Sequence, residues 1–500
     1  MAFHSVDWYV MVLVYNKFTI SEDKTMAMTD IIFILIFLPT ALLTLLFKPY
    51  LQKYILLFLS LVYYACGSPE YFVLLLLLLI LNIVLIYVIQ KNTGGGVFSL
   101  LVLIIGILLN VGPLFYYKYY NFTVESVNQV LGTCFTARDL LLPMGISFFS
   151  FKAISLLIDV YKGKVILDKN PIYGALYLSF FGQIVSGPIC RYSDFYKNMD
   201  LKRGVNSAWN LFTDGGYLFV KGFIKKVLLA NILSQVSTEV FSMDLVETSA
   251  PLLWLGSICY SLQLFYDFSG YSDMAVGVGN MFGISCPKNF DYPYITKSVS
   301  EFWRRWHITL GAWFRDYVYI PLGGSRVDSR IRLYFNLLVV WLLTGIWHGA
   351  NWTFIFWGFS YFTAISFEKT FQLPSRLKQG WSRGIYRVLV LLFINFQWVI
   401  FNSSDLHAGL SYIKHMLIGY GYEVANVRTV VLLEEYGVII LAALVLATPF
   451  IPYLRRFFEA KGSKAARGAE CVMAALTGIL FILALSSVIA GQNNPFMYGN

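Results

Sequence analysis

From Ser300 to Arg326 the chain reads SEFWRRWHITLGAWFRDYVYIPLGGSR, and from Trp341 to Asn351 it reads WLLTGIWHGAN. At about 100° per residue, Phe302, Trp303, Trp306, Leu310, Trp313, Phe314 and Tyr317 of the first stretch share one broad arc. Arg304, Gly311 and Arg315 lie opposite them, and His307 sits on the border. The spacing predicts one amphipathic helix that stops near Pro321 and the Gly323–Gly324 pair. Such a helix either anchors in a membrane interface with its arginines toward water, or presents those arginines to a charged ligand.

The second stretch is different in kind. Leu333 to Trp347 is apolar apart from Asn336 and Thr344, and it ends on His348. An ionisable side chain in such a run is costly and invites a functional explanation. An imidazole near neutrality can take a proton from a hydroxyl or return one. The alternative is a histidine that caps its helix at the headgroup boundary, just before Gly349.

Composition supports the membrane reading. The 500 residues are 58% hydrophobic and only 13% charged, against about 25% charged in ordinary soluble domains. The apolar runs are unbroken, so the fold class is an all-α polytopic membrane protein and not a barrel of alternating strands. Spans are expected near 30–47, 50–66, 71–89, 97–117, 140–160, 331–348, 352–368, 384–402, 435–454 and 469–491, each about long enough to cross ~30 Å. Residues 171–195 are apolar but interrupted by Gly182, Gly187 and Pro188, which predicts a re-entrant segment covered by protein. Residues 206–233 and 250–282 are apolar with charges inside, among them Asp267 and Asp273. No internal repeat is visible.

The net charge of +10 is not a nucleic-acid signature. Lys and Arg gather in short loops, which places those loops and the 300–326 stretch toward the cytoplasm and both chain ends outside. His348 then lies up to about 25 Å from the amphipathic helix, less if that helix is sunken. The six cysteines are scattered and are expected as small core residues, with neither a disulfide frame nor a metal site. His407 and His415 have no thiol or carboxylate to complete a metal site. Residues 1–27 are expected to be a dispensable extension, 28–491 a single transmembrane domain and 492–500 a short tail.

The run EFWRRWHITLGAWFRDYVYIPLGG, with TGIWHGANWTFIFWG after it, resembles the membrane-bound O-acyltransferases. Three further stretches agree: LPMGISFFSFKAISLLIDVYKGK (142–164), FGQIVSGPICRY (181–192) and YSLQLFYDFSGYSDMAVGVGNMFGI (260–284). The likeness covers residues 28–490 and is to the bacterial branch that serves alginate O-acetylation and teichoic acid D-alanylation. It implies a ring of about 11 transmembrane helices, with re-entrant and interfacial helices, around a central tunnel. It implies His348 as the catalytic base and His307 as catalytic support or donor positioning. By the same resemblance the donor is cytoplasmic acetyl-CoA, a substrate rather than a bound cofactor, and the acceptor an extracellular or cell-wall polysaccharide. A separate exported serine (SGNH-type) acyltransferase is expected as partner. The 403–434 loop is too short to hold such a domain.

Chemistry assigns the remaining residues. A thioester is already activated, so the protein must mainly align a hydroxyl and remove its proton. Arg304, Arg305 and Arg315 suit coenzyme phosphates, or equally lipid phosphates. Trp303, Trp306 and Asp267 are expected to line the substrate path, and Asn351 or Trp347 to steady a developing oxyanion. Two other functions fit parts of the pattern. One is D-alanyl transfer from a carrier protein. The other is a polymer-precursor transporter that uses Asp267, Asp273 and the broken 171–195 segment.

Overall fold

The computed structural model describes residues 26–92, 96–199, 205–419 and 427–491. The proposed extension therefore lies outside the described residues up to residue 25, as does the 492–500 tail. Met26 and Met28 are inside: Tyr63 donates its hydroxyl to the Met26 carbonyl at 2.7 Å, and Met28 is buried.

Every regular element among the described residues is a helix. A broken apolar segment, Phe33–Leu46, comes first. After it run α1 (Pro49–Gly67), α2 (Phe72–Lys91), α3 (Val97–Leu131), α4 (Ile146–Tyr161), α5 (Ile172–Ser179), α6 (Tyr192–Met199), α7 (Val205–Ile224), α8 (Asn231–Phe241) and α9 (Ala250–Met281). The second half holds α10 (Val299–Arg305), α11 (Ile308–Phe314), α12 (Arg330–His348), α13 (Trp352–Phe371), α14 (Gly380–Asn402), α15 (Leu406–Ile418), α16 (Val427–Leu446), α17 (Phe450–Ala460) and α18 (Ser463–Ile489). Among the described residues, six helical stretches are long and apolar enough to cross a membrane: Pro69–Lys91, Val97–Leu131, Arg330–His348, Gly380–Asn402, Val427–Leu446 and Ser463–Ile489. The chain is a multi-pass, all-α membrane protein.

The span expected at 435–454 is displaced. It runs Val427–Leu446, and the chain turns at Pro449 into α17. Arg428 pairs with Glu239 at 2.5 and 2.7 Å at the start of α16, so a charged residue opens the span. The 403–434 loop is correspondingly occupied by α15 and the beginning of α16.

Helix α9 is the spine. Its first half lies in one hydrophobic core with Phe302, Trp306, Trp357 and Trp398. Its second half lies in another core with Phe33, Phe181 and Phe223. Contact with α7 is backbone to backbone. A Cβ on Gly222 would meet the Gly270 carbonyl at 2.5 Å, and one on Gly215 the Gly277 carbonyl at 2.6 Å. Small residues at such spacing let helices touch where burial of apolar surface gives no drive inside lipid. A second glycine contact joins α12 to α13. A Cβ on Gly345 would meet the Phe354 carbonyl at 2.4 Å, and one on Gly358 the Trp341 carbonyl at 2.4 Å.

The broken segment behaves as its sequence suggests. After α5 the chain runs without regular helix from Phe180 to Arg191 and is almost wholly buried. Gly145 (φ +67°) faces it, with its missing Cβ only 2.0 Å from the Ile184 carbonyl. The two carboxylates of α9 are paired. Asp267 makes a fully buried ion pair with Lys226, and Asp273 binds Lys225 at 2.6 Å. The cysteine expectation needs correction. Cys190 and Cys286 are joined as a disulfide across 96 residues, a separation that no local spacing could signal.

Candidate active site

The stretch Ser300–Arg326 is not one helix. It breaks between α10 and α11 at Trp306–His307, then widens into a π-turn, Arg315–Tyr319, before Pro321. His307 sits in the left-handed region at φ 44°, a conformation that costs a side-chain-bearing residue roughly 1–2 kcal/mol. Nor does the aromatic arc face lipid. Phe302, Trp306, Leu310, Trp313 and Phe314 are all buried in the protein, while Arg304, Gly311 and Arg315 are exposed, as the wheel implies. The arc is sunken because α4, α9 and α14 offer it more aromatic partners than an interface would. Trp313 stacks on Phe151 at 4.0 Å and donates to its carbonyl at 3.0 Å. Trp306 packs on Trp398 at 4.9 Å.

Two anchors hold this broken element. At the start of α10, the buried Glu368 of α13 accepts from the Val299 and Ser300 backbone N–H groups at 2.5 and 2.9 Å, and from Ser300 Oγ at 2.6 Å. A carboxylate at a helix N-terminus satisfies donors that the helix leaves unpaired. At the break, the segment after α9 runs alongside. Asp291 N–H donates to the Arg305 carbonyl at 2.9 Å and Ile308 N–H to the Asn289 carbonyl at 2.9 Å. Arg305 closes the same corner by binding Glu301 at 2.9 Å and Asp291 at 3.0–3.2 Å.

The sunken break brings the two histidines to the same indole. The His307 ring lies 5.9 Å from Trp347, and the His348 ring lies 4.9 Å from it. His348 also packs on Trp357 at 5.0 Å and Phe401 at 5.3 Å. It points among aromatic rings rather than into lipid, and its Nε2 is buried. The end of its helix is tied to α3. Lys118 Nζ donates to the Trp347 and His348 carbonyls at 2.6 and 3.3 Å, and Tyr119 to the Ile346 carbonyl at 2.7 Å. The indole N–H groups of Trp303, Trp306 and Trp347 are buried and find no acceptor among the described residues.

The expected site residues thus divide. His307, His348, Trp347, Trp303 and Trp306 form one aromatic cluster with Trp357 and Trp398. Arg304 and Arg315 are exposed at its rim, Arg315 beside Asp316 at 2.8 Å. Arg305 is engaged as a structural staple, and Asp267 as the partner of Lys226. Asn351 caps α13: it accepts from Thr353 N–H at 3.0 Å and donates to the Ser404 carbonyl at 2.9 Å. Among the described residues no group of three metal-ligating side chains comes together. Lys118, Asn289 and Glu368 were not legible beforehand. They lie 18 to 230 residues from the groups they hold.

His348 at the end of an apolar helix and His307 at the break in the aromatic stretch thus meet on one buried indole. The chain belongs to the membrane-bound O-acyltransferase family, whose match covers residues 38–403. It is 38% identical over 308 residues to a probable alginate O-acetylase of Azotobacter vinelandii, a match covering 61% of this chain and 60% of that protein. It is 34% identical over 397 residues to a peptidoglycan O-acetyltransferase of Helicobacter pylori, covering 74% of each. A teichoic acid D-alanyltransferase of Bacillus subtilis is 28% identical over 337 residues, covering 64% of this chain and 80% of that one. The chain therefore spans less than two thirds of the Azotobacter relative and about three quarters of the Helicobacter one.

Proposed function

We propose that this protein moves an acetyl group from cytoplasmic acetyl-CoA to the outer side of the cytoplasmic membrane, for O-acetylation of an envelope polysaccharide. The observation that carries this reading is the meeting of His307 and His348 on Trp347. His348 takes the proton of the acceptor hydroxyl as its oxygen bonds to the thioester carbon. The carbon–sulfur bond then breaks, and the leaving thiolate takes that proton from His348. Trp347 and Trp303 supply indole N–H groups for the developing oxyanion. Exposed Arg304 and Arg315 meet the coenzyme phosphates at the cytoplasmic rim. The names of the Azotobacter and Helicobacter relatives favour acetyl transfer to a glycan. A separate exported serine acyltransferase completes delivery to the polymer.

Inverted membrane vesicles given radiolabelled acetyl-CoA test this. Wild-type vesicles are expected to incorporate label, and H348A vesicles to lose it by at least a hundredfold at equal protein abundance. Full incorporation by H348A would end the proposal. The second reading, D-alanyl transfer from a carrier protein, rests on the Bacillus relative. It requires label from a D-alanyl carrier and none from acetyl-CoA.

A further inference from the structure

His307 is a catalytic-centre histidine whose two nitrogens have different surroundings. Its Nδ1 lies 3.2 Å from Asn289 Oδ1. Its Nε2 is buried and has no hydrogen-bond partner among the described residues. Which nitrogen carries the proton depends on what the Asn289 atom is, and its other neighbours settle that. The Thr309 backbone N–H, which can only donate, points at the same atom at 3.2 Å. Ile189 N–H donates to Thr309 Oγ1 at 3.1 Å, which leaves the Thr309 hydroxyl proton free to turn to that atom, at 2.9 Å. The other end of the amide donates to Ser272 Oγ at 3.1 Å. A flipped amide would aim an N–H at a backbone N–H, so the atom beside His307 is the oxygen. An amide oxygen only accepts, and Nδ1 must therefore donate.

We infer that Asn289 is a positioning residue that fixes His307 with its proton on Nδ1 and holds Nε2 as a bare acceptor for an O–H or N–H of bound substrate. The inference rests on the acyl-transfer reading above. It gives His307 an accepting role and leaves oxyanion stabilisation to donors such as the indoles. The same asparagine braces the left-handed backbone at His307, since its carbonyl receives the Ile308 N–H at 2.9 Å. That backbone contact survives substitution of the side chain, so the tautomer can be tested separately from the turn.

The vesicle assay with acetyl-CoA, on the full chain at equal membrane abundance, separates the outcomes. N289L, which has no acceptor, is expected to lower kcat by about a hundredfold, with KM for acetyl-CoA within about threefold. N289D keeps an oxygen in place and is expected to retain at least about a third of wild-type kcat. T309V removes one donor to Asn289 but leaves the acceptor for His307, and is expected to stay within about threefold of wild type. Should N289L not accumulate, N289A against N289D makes the same comparison. The inference is overturned if N289L keeps wild-type kcat while H348A is inactive. It is also overturned if N289D and T309V fall as far as N289L, since that marks a purely structural role. If H348A itself remains active, the acyl-transfer reading falls instead.

Discussion

Lys118 ends its side chain on the carbonyls of Trp347 and His348, where helix α12 has run out of N–H groups to satisfy them. A cation at a helix C-terminus is favourable on both hydrogen-bond and dipole grounds. Its removal frees the turn that carries the histidine without touching the ring. K118M is expected to lower transfer about tenfold, because a small misplacement of a reacting group is costly. The check is the acetyl-CoA vesicle assay run beside a thermal melt. An unchanged rate would show that the turn is held by packing alone. His348 itself was legible from its place at the end of an apolar run. Lys118 was not, because no property of residue 118 in the sequence points 230 positions ahead.

At the scale of elements, two glycine contacts and one buried ion pair decide how the helices stand. Gly345 and Gly358 let α12 lie against α13, and α12 carries His348. G345L forces the two backbones apart and is expected to lower both Tm and transfer. G437A, at a glycine with open space around it, is expected to change neither. Equal behaviour of the two variants would remove the close-packing argument. Asp267 and Lys226 are each almost fully buried, so removing one takes the counter-charge away from the other. D267N is expected to cost about 3–5 kcal/mol of stability, and the double variant D267L/K226L to recover most of it. Chemical denaturation in detergent would measure both, and a D267N as stable as wild type would contradict the pairing.

The elements were unequally readable. Long apolar runs gave α2, α12, α14 and α18 close to their observed places, because hydropathy alone sets a span, whereas α3 runs on from the expected 97–117 to Leu131. The Phe180–Arg191 break was visible in Gly182, Gly187 and Pro188. The 300–326 stretch was read with the correct exposed residues but the wrong continuity. Helical periodicity carries on through Trp306 and His307, and only the tertiary contact with Asn289 shows why the backbone turns there. Charges within spans were read as candidates for substrate, whereas Lys225 and Lys226 supply partners for both carboxylates of α9. Pairing between distant helices is a property of the fold and leaves no local trace.

For the whole molecule, the bias of Lys and Arg among loops predicts the orientation. It places the Cys134 loop outside and the turn between α17 and α18 in the cytoplasm. A membrane-impermeant maleimide is expected to label exposed Cys134 in spheroplasts, and the cysteine of C134S/S463C only after permeabilisation. The reverse pattern would invert the protein and place Arg304 and Arg315 away from a cytoplasmic coenzyme. The two cores meet along α9, and the histidines sit where a third, smaller aromatic core joins α4, α11 and α12. The central claim is that this junction is where the thioester reacts. Cryo-electron microscopy with a non-hydrolysable acetyl-CoA analogue tests it most directly. The acyl carbon is expected within about 6 Å of a His348 ring nitrogen, which leaves room for an acceptor hydroxyl hydrogen-bonded to the base and about 3–3.5 Å from that carbon. An analogue bound with its acyl carbon more than about 10 Å from both imidazoles would contradict the account.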